Sequence, residues 1–385
     1  MMIPTTSLSD WLPLLLGALF LLIYLLYATA QKKLPPTPWH LEFSPDSKTL
    51  YGGKMSFTSP SECHGVIGAW EVATGRLLWE SHMEAPVFDI ELSPDGTSLL
   101  TTGSPGVISG GVEYVLGGAI LWDTNTGQPR FPLTDERHDR MAGSAYFTPG
   151  GQRILGCVHE GIQVWDAQTG ERLAYWPLSE GKTGWPAYLH FSADGTRILV
   201  EARSWSDPSS NIGGDAFVQL REAHTGEVLK DFPGEPAASM LSKDGERIAL
   251  ARYRLFPQDV SGNEGIIYCV ELWSASGQLL KQSQELPPNF ILLAVSFRPE
   301  GNVLCSGGYT QTGEPDRPQA FLWDIQTNQL LEQQQPASTR GVLSPDKQLR
   351  AIANSSIDPL KSPLGAIYRV DTGEKLRDLE GLAGR

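Results

Sequence analysis

From His40 to Gly381 the chain runs through short apolar stretches that end in polar turns, and the same pair of turns comes round seven times. The first turn of each pair reads Phe43-Ser44-Pro45-Asp46, Leu92-Ser93-Pro94-Asp95-Gly96, Phe147-Thr148-Pro149-Gly150, Phe191-Ser192-Ala193-Asp194-Gly195, Leu241-Ser242-Lys243-Asp244-Gly245, Phe297-Arg298-Pro299-Glu300-Gly301 and Leu343-Ser344-Pro345-Asp346. The second, Thr-Gly or a near variant, ends at Gly75, Gly127, Gly170, Gly226, Gly277, Asn328 and Gly373, which sets a period of 43 to 56 residues. Between the turns lie runs such as Ser98-Leu99-Leu100-Thr101-Thr102 and Ala119-Ile120-Leu121-Trp122. They are too short for helices and rich in β-formers. Another run follows the second turn, as in Arg76-Leu77-Leu78-Trp79, so each repeat predicts four antiparallel strands.

Four strands cannot bury both faces alone. Seven such sheets set radially, each covering its neighbour, predict an all-β, seven-bladed β-propeller of four-stranded antiparallel blades over residues 39–385. The pattern starts with an innermost strand at Trp39–Phe43 and ends with an outermost one at Lys375–Leu379. The expected ring therefore closes by packing first blade on last, with no exchanged strand.

Strand alternation puts both sets of tight turns on one end of the domain. The second-to-third-strand connections open on the other end, and six are long: roughly 53–65, 103–118, 203–215, 252–266, 307–319 and 354–365. In the third repeat the connection is tight, at His159-Glu160-Gly161. The long connections carry Phe57, Tyr114, Trp205, Tyr253, Phe256 and Tyr309, with Arg203, Arg252, Arg254 and Arg317 close by. Aromatic residues and arginine are enriched where proteins bind one another, so this end is the expected protein-binding face. The plainer role for each residue is to cap the core or to pair with a local acid.

Trp11 to Ala30 holds twenty residues without a charge, between Asp10 and Lys32-Lys33. As a helix that is ~30 Å, the thickness of a bilayer core. The organisation reads as a flank (1–10), a transmembrane helix (11–30), a proline-rich linker (31–38) and the propeller. Ala28-Thr29-Ala30 also offers a signal-peptide cleavage site, but no Lys or Arg precedes Trp11 and the apolar run exceeds the usual signal length. The two lysines favour a single-pass cell-membrane protein with its propeller on the cytoplasmic side.

With 44 Asp+Glu against 30 Lys+Arg, the net charge is −14, which repels phosphate backbones; nucleic acid is not an expected partner. Cys157, Cys269 and Cys305 fall in strands and read as small buried hydrophobes, while Cys63 stands beside His64 in a loop. No CxxC pair points to zinc or a disulfide framework. No GxSxG, HExxH or P-loop occurs, and the glycine-rich run Gly103–Gly118 lacks a phosphate-binding lysine. Cys63-His64 and the charge run Asp135–Arg140 have ligand or acid–base character but too few convergent groups for a metal. No catalytic residue, metal, cofactor or small-molecule substrate is expected.

Trp122-Asp123, Trp165-Asp166 and Trp323-Asp324 sit at one offset before the second turn, with Trp70-Glu71 and Trp273-Ser274 as near matches. Over residues 39–381 the chain resembles the WD-repeat (WD40-like) β-propeller family, as a divergent bacterial-type member. Arg221-Glu222 and Tyr368-Arg369 depart from the motif, and the family's Gly-His dipeptide is missing. A second resemblance is to quinoprotein dehydrogenases, whose Thr-Gly-Lys-x-x-Trp repeat is similar to Thr74-Gly75-Arg76-Leu77-Leu78-Trp79 and, loosely, to Thr169-Gly170 through Trp176. Those enzymes have eight blades and often adjacent cysteines; here Trp79 and Trp176 read as blade-packing aromatics. Fold alone does not give function. The expectation is a membrane-tethered, non-catalytic protein-interaction scaffold using its long-loop face. The alternative is a hydrolase or quinoprotein-like oxidoreductase with its site in the central channel.

Overall fold

The computed structural model describes residues 40–379, apart from 60–61, 84–86, 88, 104–118, 134–143, 159, 179–184, 204–215, 233, 235, 258–263, 288–289, 291, 308–318, 334–341 and 354–364. The expected transmembrane helix and linker lie outside the described residues. Among those described there is no helix long and apolar enough to cross a membrane.

Among the described residues, twenty-eight strands form seven four-stranded antiparallel sheets, each from one contiguous stretch of chain. Sheet I is β1 (His40–Phe43), β2 (Thr49–Ser59), β3 (Glu62–Glu71) and β4 (Leu77–Met83). Sheet II is β5 (Asp89–Leu92), β6 (Ser98–Thr102), β7 (Ala119–Asp123) and β8 (Pro129–Leu133). Sheet III is β9 (Ala145–Phe147), β10 (Arg153–Val158), β11 (Gly161–Asp166) and β12 (Arg172–Pro177). Sheet IV is β13 (Trp185–Phe191), β14 (Arg197–Arg203), β15 (Ala216–Glu222) and β16 (Val228–Phe232). Sheet V is β17 (Ala238–Leu241), β18 (Arg247–Pro257), β19 (Glu264–Ser274) and β20 (Leu279–Gln282). Sheet VI is β21 (Leu292–Phe297), β22 (Val303–Gly307), β23 (Gln319–Asp324) and β24 (Gln329–Gln333). Sheet VII is β25 (Val342–Leu343), β26 (Leu349–Ala353), β27 (Gly365–Arg369) and β28 (Lys375–Asp378). The strands pair in chain order within every sheet, and among the described residues no strand is exchanged between the first sheet and the last.

Turn chemistry explains the repeat. Ser44 Oγ donates to Asp46 Oδ1 and accepts the Thr49 N–H, locking the first turn across its mouth. Ser93/Asp95, Ser192/Asp194, Ser242/Asp244 and Ser344/Asp346 repeat the arrangement. At the second turn the acid of the Trp-Asp pair is the acceptor: Asp123 Oδ1 takes the N–H groups of Asn125 and Thr126, and Asp166 those of Gln168 and Thr169. Glu222 does the same work for His224 and Thr225, so the motif's departure at Arg221-Glu222 keeps its turn. The tryptophans fill the sheets from inside, and Trp165 lies where any side chain at Gly156 would stand, 2.6 Å from a Cβ.

Each core is shared between neighbouring sheets. Buried residues of I and II, II and III, III and IV, IV and V, and V and VI form joint clusters. Another joins Phe43, Leu50 and Trp70 of sheet I to Ala351 and Ile367 of sheet VII. The first strands of several consecutive sheets also touch, including β1 with β5 and with β25. Seven blade-like sheets arranged in this way fit a propeller.

Outer strands dock on the next sheet's second turn. Trp79 donates its Nε1–H to the Thr124 carbonyl at 2.8 Å and covers Gly127, Phe131 covers Gly170, and Trp176 covers Gly226. Trp79 and Trp176 are thus packing aromatics between sheets. In six sheets a β-bulge interrupts the third–fourth strand register, and the extra residue is Leu78, Arg130, Leu173, Leu229, Leu280 or Leu376. Sheet VI has none; β23 and β24 pair in unbroken register.

Candidate functional site

Of the ten residues expected on the long-loop face, Tyr114, Trp205, Tyr309 and Arg317 lie outside the described residues. Phe57, Arg203 and Phe256 have described backbone: they stand in strands, opposite Cys63, Ala216 and Gly265 respectively. Cys63-His64 belongs to β3, and the charge run 135–140 lies outside the described residues.

The structure differs from the sequence reading in kind at two connections. Residues 53–65 and 252–266 are mostly not loop: β2–β3 and β18–β19 continue as hairpin arms, β18 pairing with β19 from Arg247 to Pro257. The arm persists because Tyr253 on one strand and Ile266, Ile267 and Tyr268 on the other are good strand formers, with Tyr253 directly opposite Tyr268.

Alternation gives this arm two distinct faces. One continues the core. Ala249, Ala251 and Val270 are buried against sheet VI, and past them the same face emerges as Tyr253, 41% exposed, and Ile266, 40% exposed. Tyr253 leans on the buried Tyr268, ring centroids 6.5 Å apart. The other face is polar. Arg252 Nε donates to Glu271 Oε2 at 2.9 Å, and Trp273 Nε1 donates to the same oxygen at 2.9 Å. Both charges of that pair are largely buried, which commits Arg252 to holding the arm. Arg254 pairs with Glu285 at 2.7 Å in the open, a contact that solvent leaves weak and exchangeable.

A second group gathers where the first strands meet, and the sequence reading passed over it. Glu42 on β1 accepts the Leu92 N–H of sheet II at 2.8 Å, and Glu91 on β5 accepts the Phe147 N–H of sheet III at 3.0 Å. His40 Nδ1 lies 2.9 Å from Asp89 Oδ1 across the same seam. Burial pushes the Glu42 carboxyl up to about 7 and that of Glu91 up to about 8, with nearby carboxylates adding to both shifts. Burial holds His190, at the matching position of β13, down to about 4. The available signal was the matched placement of Glu42-Phe43-Ser44 and Glu91-Leu92-Ser93. Among the described residues no group of three or more His, Cys, Asp or Glu could hold a metal. Cys157 and Cys305 are buried, and burial pushes the Cys305 thiol up to about 12.

No protein-family model matches the chain, and no curated protein matches it in sequence.

Proposed function

We propose that this chain is a WD-repeat-like, seven-bladed propeller, tethered to the membrane by residues 11–30, that serves as a non-catalytic protein-interaction platform. The observation that carries this reading is the β18–β19 arm, where a core face runs out beyond the sheet and offers Tyr253 and Ile266 to solvent, with Arg254 exposed on the opposite face. Tyrosine and arginine are both residue types enriched in interface hot spots, and the arm exposes one on each face. The packing of sheet VII on sheet I supports a closed ring, which presents such an arm rigidly. A tether beside the bilayer raises the effective concentration of membrane partners.

The test uses the full-length chain in its own membranes, with a photo-crosslinking residue at position 253 or, on the opposite end, at Asn125. Adducts from 253 alone are expected. Tyr253→Ala and Arg254→Ala should then weaken the isolated partner roughly thirtyfold. Equal adducts from position 125 would place the contact surface elsewhere.

A second reading, a hydrolase working where the first strands meet, draws on the His40–Asp89 pair and the two proton-holding glutamates. It is the weaker reading because Glu42 and Glu91 each spend an oxygen on the main chain of the next sheet. It requires an ester- or phosphoester-cleaving activity that Asp89→Asn abolishes.

A further inference from the structure

A cavity of about 420 Å3 opens at the seam between sheets VII and I, on the end that carries the tight turns. Lys48, Val72, Ala73 and Leu78 of sheet I line one side, and Leu349 and Arg377 of sheet VII the other. That volume lies in the range of small-molecule sites, ~300–1,000 Å3.

Comparison with the other seams shows what is unusual here. Trp79, Lys281 and Arg377 each stand four residues after the residue that closes their second turn, Gly75, Gly277 and Gly373. Trp79 Nε1 donates to the Thr124 carbonyl, and Lys281 Nζ donates to the carbonyl of Ile325. Thr124 and Ile325 follow a Trp-Asp pair just as Val72 follows Trp70-Glu71. At the VII–I seam the corresponding donor is Arg377, whose Nε is buried without a hydrogen-bond partner. Register places it opposite Ile367, whose side chain belongs to the core shared with sheet I. A buried guanidinium N–H without an acceptor is costly, and here it borders a cavity walled by aliphatic side chains.

We propose that this seam is a binding site for a small carboxylate with an apolar body. The carboxylate meets the Arg377 guanidinium, whose planar fork matches its geometry, and the apolar part lies against Val72, Leu78 and Leu349. Apolar walls strengthen the ion pair by excluding water. A monoanion suits the charge balance better than a phosphate does. Glu71 also lines the cavity, its carboxylate taking the Thr74 hydroxyl, and Lys48 at the rim is only loosely paired with Asp46, at 3.7 Å. A dianion would be repelled by Glu71.

The test is ligand-observed NMR and calorimetry on the full-length chain, with hexanoate as probe and 1-hexanol and inorganic phosphate as its neutral and apolar-free counterparts. Hexanoate is expected to bind, and hexanol at least about tenfold more weakly, the worth of one charge-assisted hydrogen bond. Arg377→Gln should cost hexanoate at least about tenfold, and so should Leu78→Glu, which sets a like charge at the exposed mouth without touching the core. The second variant keeps the test decisive if the first fails to fold. The proposal is overturned if hexanoate does not bind, if it binds a natively folded Leu78→Glu chain with unchanged affinity, or if phosphate competes with it on equal terms.

Discussion

Gly75 in sheet I lies so close to sheet VII that a Cβ at this position would stand 2.2 Å from the carbonyl oxygen of Asp378. Its counterpart in sheet VII, Gly373, has a similar φ of +69° but nothing within 4 Å of its missing Cβ among the described residues. The two positions therefore separate backbone strain from inter-sheet contact. Gly373→Ala should cost the ~1–2 kcal/mol of placing a side chain in the left-handed region. Gly75→Ala should cost at least about 1 kcal/mol more, because the seam must part. Urea denaturation of the two variants measures the difference; equal costs would mean that sheets VII and I do not press on one another in solution.

Arg221 occupies the slot that tryptophan fills in neighbouring repeats, and it is 1% exposed. Its fork reaches Gln219 Oε1 and the carbonyls of Gly226 and Pro177, the last belonging to sheet III, while Gln219 passes a hydrogen bond on to Asp231. Arg221→Ala should lower stability by about 3 kcal/mol or more, since it strands several buried acceptors. Arg221→Lys keeps the charge but not the fork and should recover only part of that loss. Equilibrium unfolding decides, and a loss under about 1 kcal/mol for the alanine variant would deny the network its role.

Stability should fall on the alkaline side. Glu42 and Glu91 keep their protons in the folded chain up to about 7 and about 8, against 4.5 for an ordinary glutamate. In that interval the folded state binds more protons than the unfolded one. Their contribution is thus fully present below about pH 4.5 and is lost as pH rises through 7 and 8, at up to ~1.4 kcal/mol per pH unit for each group. The turn aspartates act oppositely. Serine hydroxyls, then backbone N–H groups, hold Asp46, Asp95 and Asp346 below their usual range, so their contribution appears above the unfolded pKa and goes on acidification. Stability measured against pH should peak in mild acid, and Glu42→Gln with Glu91→Gln should flatten the alkaline limb. An alkaline limb untouched by that pair of changes would rule these carboxyls out.

On the β18–β19 arm, two adjacent residues should respond in opposite ways. Arg252→Ala leaves the Glu271 carboxylate without its cation and should cost about 3 kcal/mol in stability. Tyr253→Ala, on the exposed continuation of the core face, should change stability by less than about 1 kcal/mol while weakening partner binding. Parallel melting and affinity measurements test the split, and a Tyr253→Ala variant that loses stability but keeps its partner reverses it.

The turns made the seven sheets legible, because Ser-x-Asp and Asp-x-Thr-Gly write their hydrogen bonds in the sequence, and a turn every few residues leaves room only for strands. The arm was hidden. Tyr253-Arg254-Leu255-Phe256 runs into Pro257 and a stretch with Gly262 and Gly265 that together read as loop, and only pairing with Gly265–Tyr268 turns it into a ladder. Glu42 and Glu91 were missed for a different reason: a glutamate at an alternate strand position reads as solvent-facing, and nothing local tells that the next sheet's N–H waits there. Arg377 reads the same way, as a charge on an outer strand, until the seam that buries its Nε is assembled.

The bulges bear on how these molecules behave in one another's company. Every sheet ends in an outer strand, which is a template for a strand from another chain, and a bulge twists that template out of register. Six sheets carry this protection. Sheet VI does not: Gln329-Leu330-Leu331-Glu332-Gln333 runs straight, with a single charge and with Leu331 turned outward. Crowded on a surface or concentrated in a tube, copies of this chain are expected to add strands first at β24, the straight outer edge among the described sheets.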